Sequence, residues 1–285
     1  MLLPPNAVYG NMTTNKIGII AGEGKMPIYI ARNAAAKGVE VFVAGIKGNA
    51  LAQDYPAARV FQTLRLGQLG ACIRFFKKHG VTRVLMAGRV KHTSIFSNLM
   101  PDLRTAKALA SLKDRQTKSI LAGVINEFKK DGIEFVSSAS FLEDFLPPAG
   151  VLSARTPNEQ EQQAIDFGFQ TAKQLAAMDI GLTCVVSQNA VIAVEGMEGT
   201  DRCIRRAGEL VREGAGKKQT VAVVKVARPN QDNRYDLPVI GKGTLESVAQ
   251  AGFSVLAFEA EKTLVMDLEE VVKLADKYKI CLCAI

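Results

Sequence analysis

From Ala222 to Gly241 the chain reads AVVKVARPNQDNRYDLPVIG, an apolar run that passes directly into a segment crowded with ionisable groups. Lys225, Arg228, Gln231, Asp232, Arg234 and Asp236 follow one another closely, and Pro229 and Pro238 fix the backbone near the two ends of the loop. Carboxylates set beside lysine and arginine can hold a hard cation, or take a proton from water while the cations bind an anion. A self-neutralising solvated turn has the same composition. A second acidic cluster, Val194-Glu-Gly-Met-Glu-Gly-Thr-Asp201, also stands where a strand gives way to a helix. Thr200 and Asp201 suit the N-terminus of a helix over 202–213, which accounts for Asp201 and leaves Glu195 and Glu198 without a capping role.

Asp232, Asp236, Glu195, Glu198 and Asp201 supply oxygen ligands, whereas the chain has 2 histidines and 5 scattered cysteines. A metal held by such residues is Mg²⁺ or Mn²⁺ rather than zinc. That chemistry points to phosphate, with Lys225, Arg205 and Arg228 adding positive charge around a transferred group. The chain lacks G-x-S-x-G, H-E-x-x-H and the Walker A string, so serine hydrolases, zincins and P-loop NTPases are not indicated.

The elements that must position these residues alternate between strand and helix. KIGIIA at Lys16 to Ala21 predicts a strand that ends in Gly22-Glu-Gly24-Lys-Met-Pro27, followed by a helix to Lys37 and a strand at Val39 to Ala44. Gly22 and Gly24 either let a phosphate approach the following helix N-terminus or serve a tight turn. Pro27 replaces the third glycine of the dinucleotide fingerprint, and no isolated acid follows the second strand, so NAD is not expected. A helix around Leu66 to Phe76 and a strand at Thr82 to Ala87 continue the pattern, with Arg89 and Lys91 as phosphate candidates beyond the strand. His92 suits a hydrogen-bonded structural role, and His79 is explained by a helix C-terminus. A helical region is expected over 102–130, with Asp102 as its cap and Arg104 in solvent, and a strand over 133–136. Phe145-Leu-Pro-Pro-Ala-Gly-Val-Leu152 reads as a linker and places a boundary between domains 1–150 and 151–285.

Beyond it the pattern predicts a helix over 159–178 and paired strands at 183–187 and 190–195. The buried strand from Val221, a helix from Thr244, strands at 254–258 and 263–266, a last helix from Asp267 and a terminal strand at 280–285 complete the second half. The fold class is therefore α/β: an N-terminal Rossmann-like parallel-sheet domain and a C-terminal α/β domain.

The chain has 285 residues and a formal net charge of +8, which favours an anionic partner. No RNP-like motif, zinc-finger spacing or basic stripe is present, so no nucleic-acid partner is expected. The odd number of cysteines without a C-x-x-C pair suits reduced, buried thiols, and Cys281 and Cys283 share a face of the terminal strand. The leader MLLPPNAVYGNMTTN carries no signal-peptide pattern, and a cytoplasmic location is expected.

The strings IAGEGKMPIYIAR, LGQLG, MAGRVKH, GVLSARTPNEQE, VEGMEGTDRCIRRAGEL, KVARPNQDNRYDLPVIG and EAEKTLVMD occur in this order over nearly the whole chain. In this the chain resembles the LpxI-type UDP-2,3-diacylglucosamine pyrophosphatases of lipid A synthesis. The resemblance implies Mg²⁺-assisted hydrolysis of UDP-2,3-diacylglucosamine to UMP and 2,3-diacylglucosamine 1-phosphate at the cytoplasmic face of the inner membrane, with the substrate in a cleft between the two domains. It puts the essential acid at Asp232, as metal ligand or base for water, with Asp236 the second choice and Lys225 beside them. Glu195, Glu198 and Asp201 are further metal candidates, and Gly22, Gly24 and Arg89 are nucleotide-side candidates. Ser153 and Gly196 stand where the family usually has Thr and Ala. Two acyl chains would demand an apolar binding region, since each buried methylene contributes about 0.8 kcal/mol. Phe141, Phe145, Leu146 and Val151 are candidates for it, with core packing the competing account. The positive charge would favour peripheral contact with an anionic leaflet, and a homodimer is the base-rate expectation. A nucleotide-sugar transferase or isomerase and a non-catalytic nucleotide sensor are the alternatives.

Overall fold

KIGIIA forms β1 (Lys16–Ala21), and Ile17 and Ile19 are fully enclosed because β1 lies inside a parallel sheet. The computed structural model of the chain describes residues 15–90, 101–112, 117–214, 220–229 and 237–285, and of residues 117 and 118 the backbone alone. It divides the chain into two compact units, one ending at Phe141 and the other Leu142–Ile285.

In the first unit β1, β2 (Glu40–Ile46), β3 (Ala58–Leu64), β4 (Arg83–Ala87) and β5 (Glu134–Phe135) stand in the order β3-β2-β1-β4-β5, with all neighbours parallel. Helices α1 (Met26–Ala36), α2 (Leu69–Lys78), α3 (Leu103–Ala110) and α4 (Thr117–Lys129) connect or flank them. This is the expected Rossmann-like sheet. β3 was not legible as a strand, because at the sheet edge most of ARVFQTL is half-buried or exposed and shows no apolar run. Its Phe61 covers the second strand: a Cβ on Gly45 would come within 2.2 Å of the Phe61 ring.

The helix expected over 102–130 is two helices, α3 and α4. Asp102 does cap α3, accepting from the Thr105 N–H at 2.9 Å, and its other oxygen accepts from Gly70 N–H at 2.7 Å in the first turn of α2. Burial opposes its charge, but these donors hold the carboxyl below the usual carboxylate range. Arg104 is not merely solvated: its Nε donates to Glu127 at 2.9 Å and the guanidinium also pairs with Asp131. His79 ends α2 and stacks on Phe42 with ring centroids 5.1 Å apart. Phe141, a candidate for the lipid region, is 1% exposed in the core.

The division at Phe141/Leu142 precedes the boundary expected at 150/151. Pro147 accepts from Glu261 N–H at 2.9 Å, and β6 (Gly150–Val151) pairs antiparallel with β13 (Cys281–Ala284), so the Pro-Pro-Ala-Gly stretch is built into the second unit. There β6, β13, β11 (Val255–Phe258), β9 (Val221–Lys225), β7 (Thr183–Ser187) and β8 (Ala190–Val194) form one sheet in that order. β13, β11 and β9 run parallel, whereas β6, β7 and β8 are antiparallel to their neighbours. Alternation along β9 sends Val221 and Val223 into one core and Ala222 and Val224 into another. The first core is completed by α6 (Thr200–Gly214), α7 (Lys242–Ala251) and α8 (Leu268–Tyr278), the second by α5 (Glu159–Ala177). Helices cover both faces, which is why β9 is apolar at nearly every position. Cys281 and Cys283 share the second core as expected, and all 5 cysteines are free and buried. The strand expected at 263–266 is shorter, β12 (Leu264–Val265), and pairs with β10 (Val239–Ile240) outside the large sheet.

The string GVLSARTPNEQE is a structural staple. Ser153 Oγ accepts from Leu282 N–H at 2.9 Å, Arg155 grips both oxygens of Glu161 at 2.7 and 3.0 Å, and Asn158 and Glu161 form a reciprocal cap on α5.

Candidate functional site

The C-terminal end of β9 carries Lys225, flanked by Thr183 of β7 and Phe258 of β11. At 7% exposure its ammonium must be partnered, and Nζ donates to Thr200 Oγ1 at 2.7 Å. Thr200 is the first residue of α6; its hydroxyl passes the contact on by donating to Glu195 Oε1 at 3.0 Å, with the Thr183 hydroxyl 3.4 Å away. The second oxygen of Glu195 accepts from Leu182 N–H at 3.3 Å. A Cβ on Gly181 would lie 2.0 Å from the Glu195 carbonyl oxygen, so glycine there lets the lead into β7 touch the exit of β8. Lys225, Thr200 and Glu195 thus form one connected polar row across β9, α6 and β8.

The other acidic candidates face elsewhere. Glu198 accepts from Gly196 N–H at 3.0 Å and from Arg206 at 2.7 Å, and the Arg206 guanidinium holds its carboxyl below the usual range. Asp201 accepts from the Thr244 hydroxyl at 3.0 Å, and its carbonyl accepts from Arg205 Nε at 3.2 Å. Glu195, Glu198 and Asp201 are each committed to donors of this chain. Among the described residues no group of three or more His, Cys, Asp or Glu side chains is placed to hold a metal ion. The trio therefore does not fit a preformed ligand set. Asp232, Asp236, Lys91 and His92 lie outside the described residues.

Arg228 follows β9, and its Nε donates to Asp179 at 2.7 Å. Val226 N–H still reaches Leu182 O at 2.9 Å; at Ala227 the strand ladder has ended. There two residues that sequence reasoning missed take over. Glu259 accepts from Ala227 N–H at 2.9 Å, Lys173 of α5 donates to the Ala227 carbonyl at 2.9 Å, and Lys173 and Glu259 bond to each other at 2.9 Å. The available signal was Glu259 itself, an acid directly behind the apolar VLAF strand and the first residue of EAEKTLVMD.

In the first unit the sheet order reverses between β1 and β4, where an open α/β sheet offers a ligand crevice. Here the chain crosses that point with its own backbone. Gly22 N–H donates to Ala87 O at 2.8 Å, and Glu23 and Arg89 exchange backbone hydrogen bonds at 2.8 and 2.9 Å. A Cβ on Gly22 would be 2.7 Å from the Arg89 carbonyl oxygen. The tight approach at Gly22 is therefore made by the chain itself. Gly24 has φ +112° and, among the described residues, nothing within 4 Å of an added Cβ, and Arg89 is exposed. Gly22→Ala is expected to cost about 1–3 kcal/mol, read from urea unfolding, because the atoms it would meet are backbone; a loss under about 0.5 kcal/mol would contradict the close packing.

The two halves of the chain match two sequence-family models, the LpxI N-terminal domain over residues 16–145 and the LpxI C-terminal domain over residues 148–283. The UDP-2,3-diacylglucosamine pyrophosphatase LpxI of Caulobacter vibrioides is 33% identical over 268 residues, covering 92% of this chain and 94% of that protein. Among solved structures, a biotin carboxylase from Campylobacter jejuni aligns at 12% identity and a TM-score of 0.28, over 78% of this chain and 46% of its own. The biotin carboxylase subunit of a pyruvate carboxylase aligns at 11% identity and 0.29, over 74% and 44%. Likenesses at that level establish nothing about the chemistry of this chain. With both halves of the chain matched by family models and a relative aligned across nearly its full length, this chain belongs to the LpxI family.

Proposed function

We propose that the protein hydrolyses the pyrophosphate bond of UDP-2,3-diacylglucosamine with water as acceptor, releasing UMP and 2,3-diacylglucosamine 1-phosphate. The observation that carries this is the family relationship over both domains, joined to the buried Lys225 at the mouth of the PNQD loop. Lys225 is held by Thr200, whose hydroxyl is itself oriented by Glu195, so its charge is in place before a phosphate arrives. At about 4 Å and an effective dielectric near 20, such an ammonium contributes about 4 kcal/mol to an anionic oxygen. Asp232, by its place in PNQD, takes the proton from water or binds a cation; Asp236 is the nearby second acid. Arg228, beside the same loop, adds positive charge near the leaving nucleotide.

Mg²⁺ belongs to the proposal as a requirement of the assay rather than as a step, since the described carboxylates form no ligand set. Magnesium sites often use one or two carboxylates together with substrate phosphates, and Asp232 is the residue proposed for that part. Among the described residues no helix is long and apolar enough to cross a membrane. Peripheral contact with the anionic inner leaflet, at the cytoplasmic face, fits the charge of +8 and a substrate with two acyl chains.

The test is product analysis with the purified protein and UDP-2,3-diacylglucosamine, with Mg²⁺ and with excess EDTA. UMP release with water as sole acceptor, abolished by EDTA and restored by Mg²⁺, is the expected result. Release of UDP, or a rearranged sugar, would indicate a transferase or isomerase; binding without turnover would indicate a sensor. Turnover unaffected by the chelator would remove the metal from the proposal and leave the hydrolysis.

A further inference from the structure

We propose that Lys173 and Glu259 are positioning residues for the hydrolysis, acting through the backbone of Ala227 to fix where the PNQD loop leaves the sheet. The inference rests on the proposed function and goes beyond it by adding two residues that bind no substrate atom. Its basis is how the backbone is satisfied at the end of β9. Through Val226, neighbouring strands and their extensions supply the partners: Glu259 N–H donates to Lys225 O and Val226 N–H to Leu182 O, each at 2.9 Å. Ala227 is 2% exposed, so its N–H and carbonyl also need partners. Both come from side chains. Glu259 Oε2 takes the N–H, Lys173 Nζ gives to the carbonyl, and the two side chains close the ring through their own ion pair.

A buried ion pair costs desolvation that a further stretch of backbone ladder would not. Its return is geometric. Glu259 extends from the end of β11 and Lys173 from the C-terminal part of α5, so Ala227 is gripped from the sheet and from the helix layer that covers it. Immediately afterwards come Arg228, tied to Asp179, and Pro229, whose ring restricts φ. Fixing the backbone in two directions at Ala227 sets where the chain leaves the sheet, and a displacement of about 1 Å at a catalytic group can cost 10²-fold in rate. The Glu259 carboxyl stays charged within this clamp. Burial alone would raise its pKa, but Lys262, Lys173 and the Ala227 N–H bring it below the usual range. Lys262, whose side chain is 60% exposed, touches Glu259 but not Ala227 and forms no part of the clamp.

The experiment measures kcat and KM separately for the full-length protein and for Lys173→Met, Glu259→Gln, the double variant Lys173→Met with Glu259→Leu, and Lys262→Ala. The double variant removes both side-chain partners of Ala227 without stranding a buried charge. For the clamp variants that retain the wild-type circular dichroism spectrum, kcat is expected to fall by about 10²-fold, while KM stays within about threefold. Lys262→Ala is expected to stay close to wild type in both. Clamp variants that are folded and keep kcat within about threefold would overturn the proposal. So would a parallel rise in KM with kcat intact, or loss of fold in all three clamp variants, which would make the pair purely structural. Failure of the wild-type chain to release UMP in the same assay would instead refute the hydrolase reading on which the proposal rests.

Discussion

Asp232→Ala is expected to lower kcat for UDP-2,3-diacylglucosamine hydrolysis by about 10³-fold or more, and Lys225→Met by about 10²-fold, with both proteins folded. Removing a base or cation ligand takes away a group needed only as water attacks, so kcat falls and KM changes little. Lys225 has the smaller expected effect because other cations, Arg228 among them, can share its work. Replacing it also removes the donor to the Thr200 hydroxyl, and methionine keeps the stem's packing. The order of the two effects is the informative part. Should Asp232→Ala retain more than about a tenth of wild-type turnover, the chemistry would have to move from the PNQD acid to the Lys225–Thr200–Glu195 row. The separate acids Glu198 and Asp201 are poor substitutes, since Arg206 and Thr244 already occupy them.

The largest expected effect on stability is at Arg155→Ala, about 3 kcal/mol near neutral pH. The Glu161 side chain is 4% exposed, and Arg155 supplies it with hydrogen bonds to both oxygens while also donating to the Lys279 carbonyl. Truncating Arg155 strands an ionised carboxylate in the core between α5 and the start of β13. The expected cost sits at the low end for a broken buried pair because Arg155 itself is 32% exposed.

The pH dependence follows from the same pair. Burial alone would raise the Glu161 pKa, yet Arg155 and the Asn158 N–H hold it below the ordinary 4.5. A depressed carboxyl contributes stability that is present above its unfolded value and is lost as pH falls through its folded value. The wild-type chain therefore loses this contribution below about pH 4.5. In Arg155→Ala burial is opposed only by the Asn158 cap and the Ser254 side chain, and protonation relieves the stranded charge. The difference in unfolding free energy between the two proteins should then be largest at pH 7 and shrink towards pH 4. Equal differences in urea titrations at the two pH values would show that lost packing, rather than the charge, sets the cost.

Much of the fold was legible because its signals are local. The apolar runs of β1, β4 and β9, the cap at Asp102 and the short turn between β7 and β8 each depend on a few neighbouring side chains. β3 was not legible, since an edge strand with one solvated face has neither an apolar run nor clean alternation. The tie of the Pro-Pro-Ala-Gly stretch to the second unit was not legible for a related reason: composition marks a chain reversal but does not say which core the reversal is tied to.

The sequence by itself determined the α/β class, the family strings, and the end of β9 with its charged loop as the place to look. Each is a matter of residue type and order along the chain. Only the tertiary structure decided which side chains meet. Glu195 reaches Thr200, which in turn meets Lys225, while Glu198 and Asp201, a few residues away, turn to Arg206 and Thr244. Gly22 yields its space to the chain's own backbone. Lys173 and Glu259 close on Ala227 although 86 positions separate them. The direction of a side chain is set by helix phase, strand pleat and the burial of the backbone groups beside it. Those quantities exist only once distant segments have packed together.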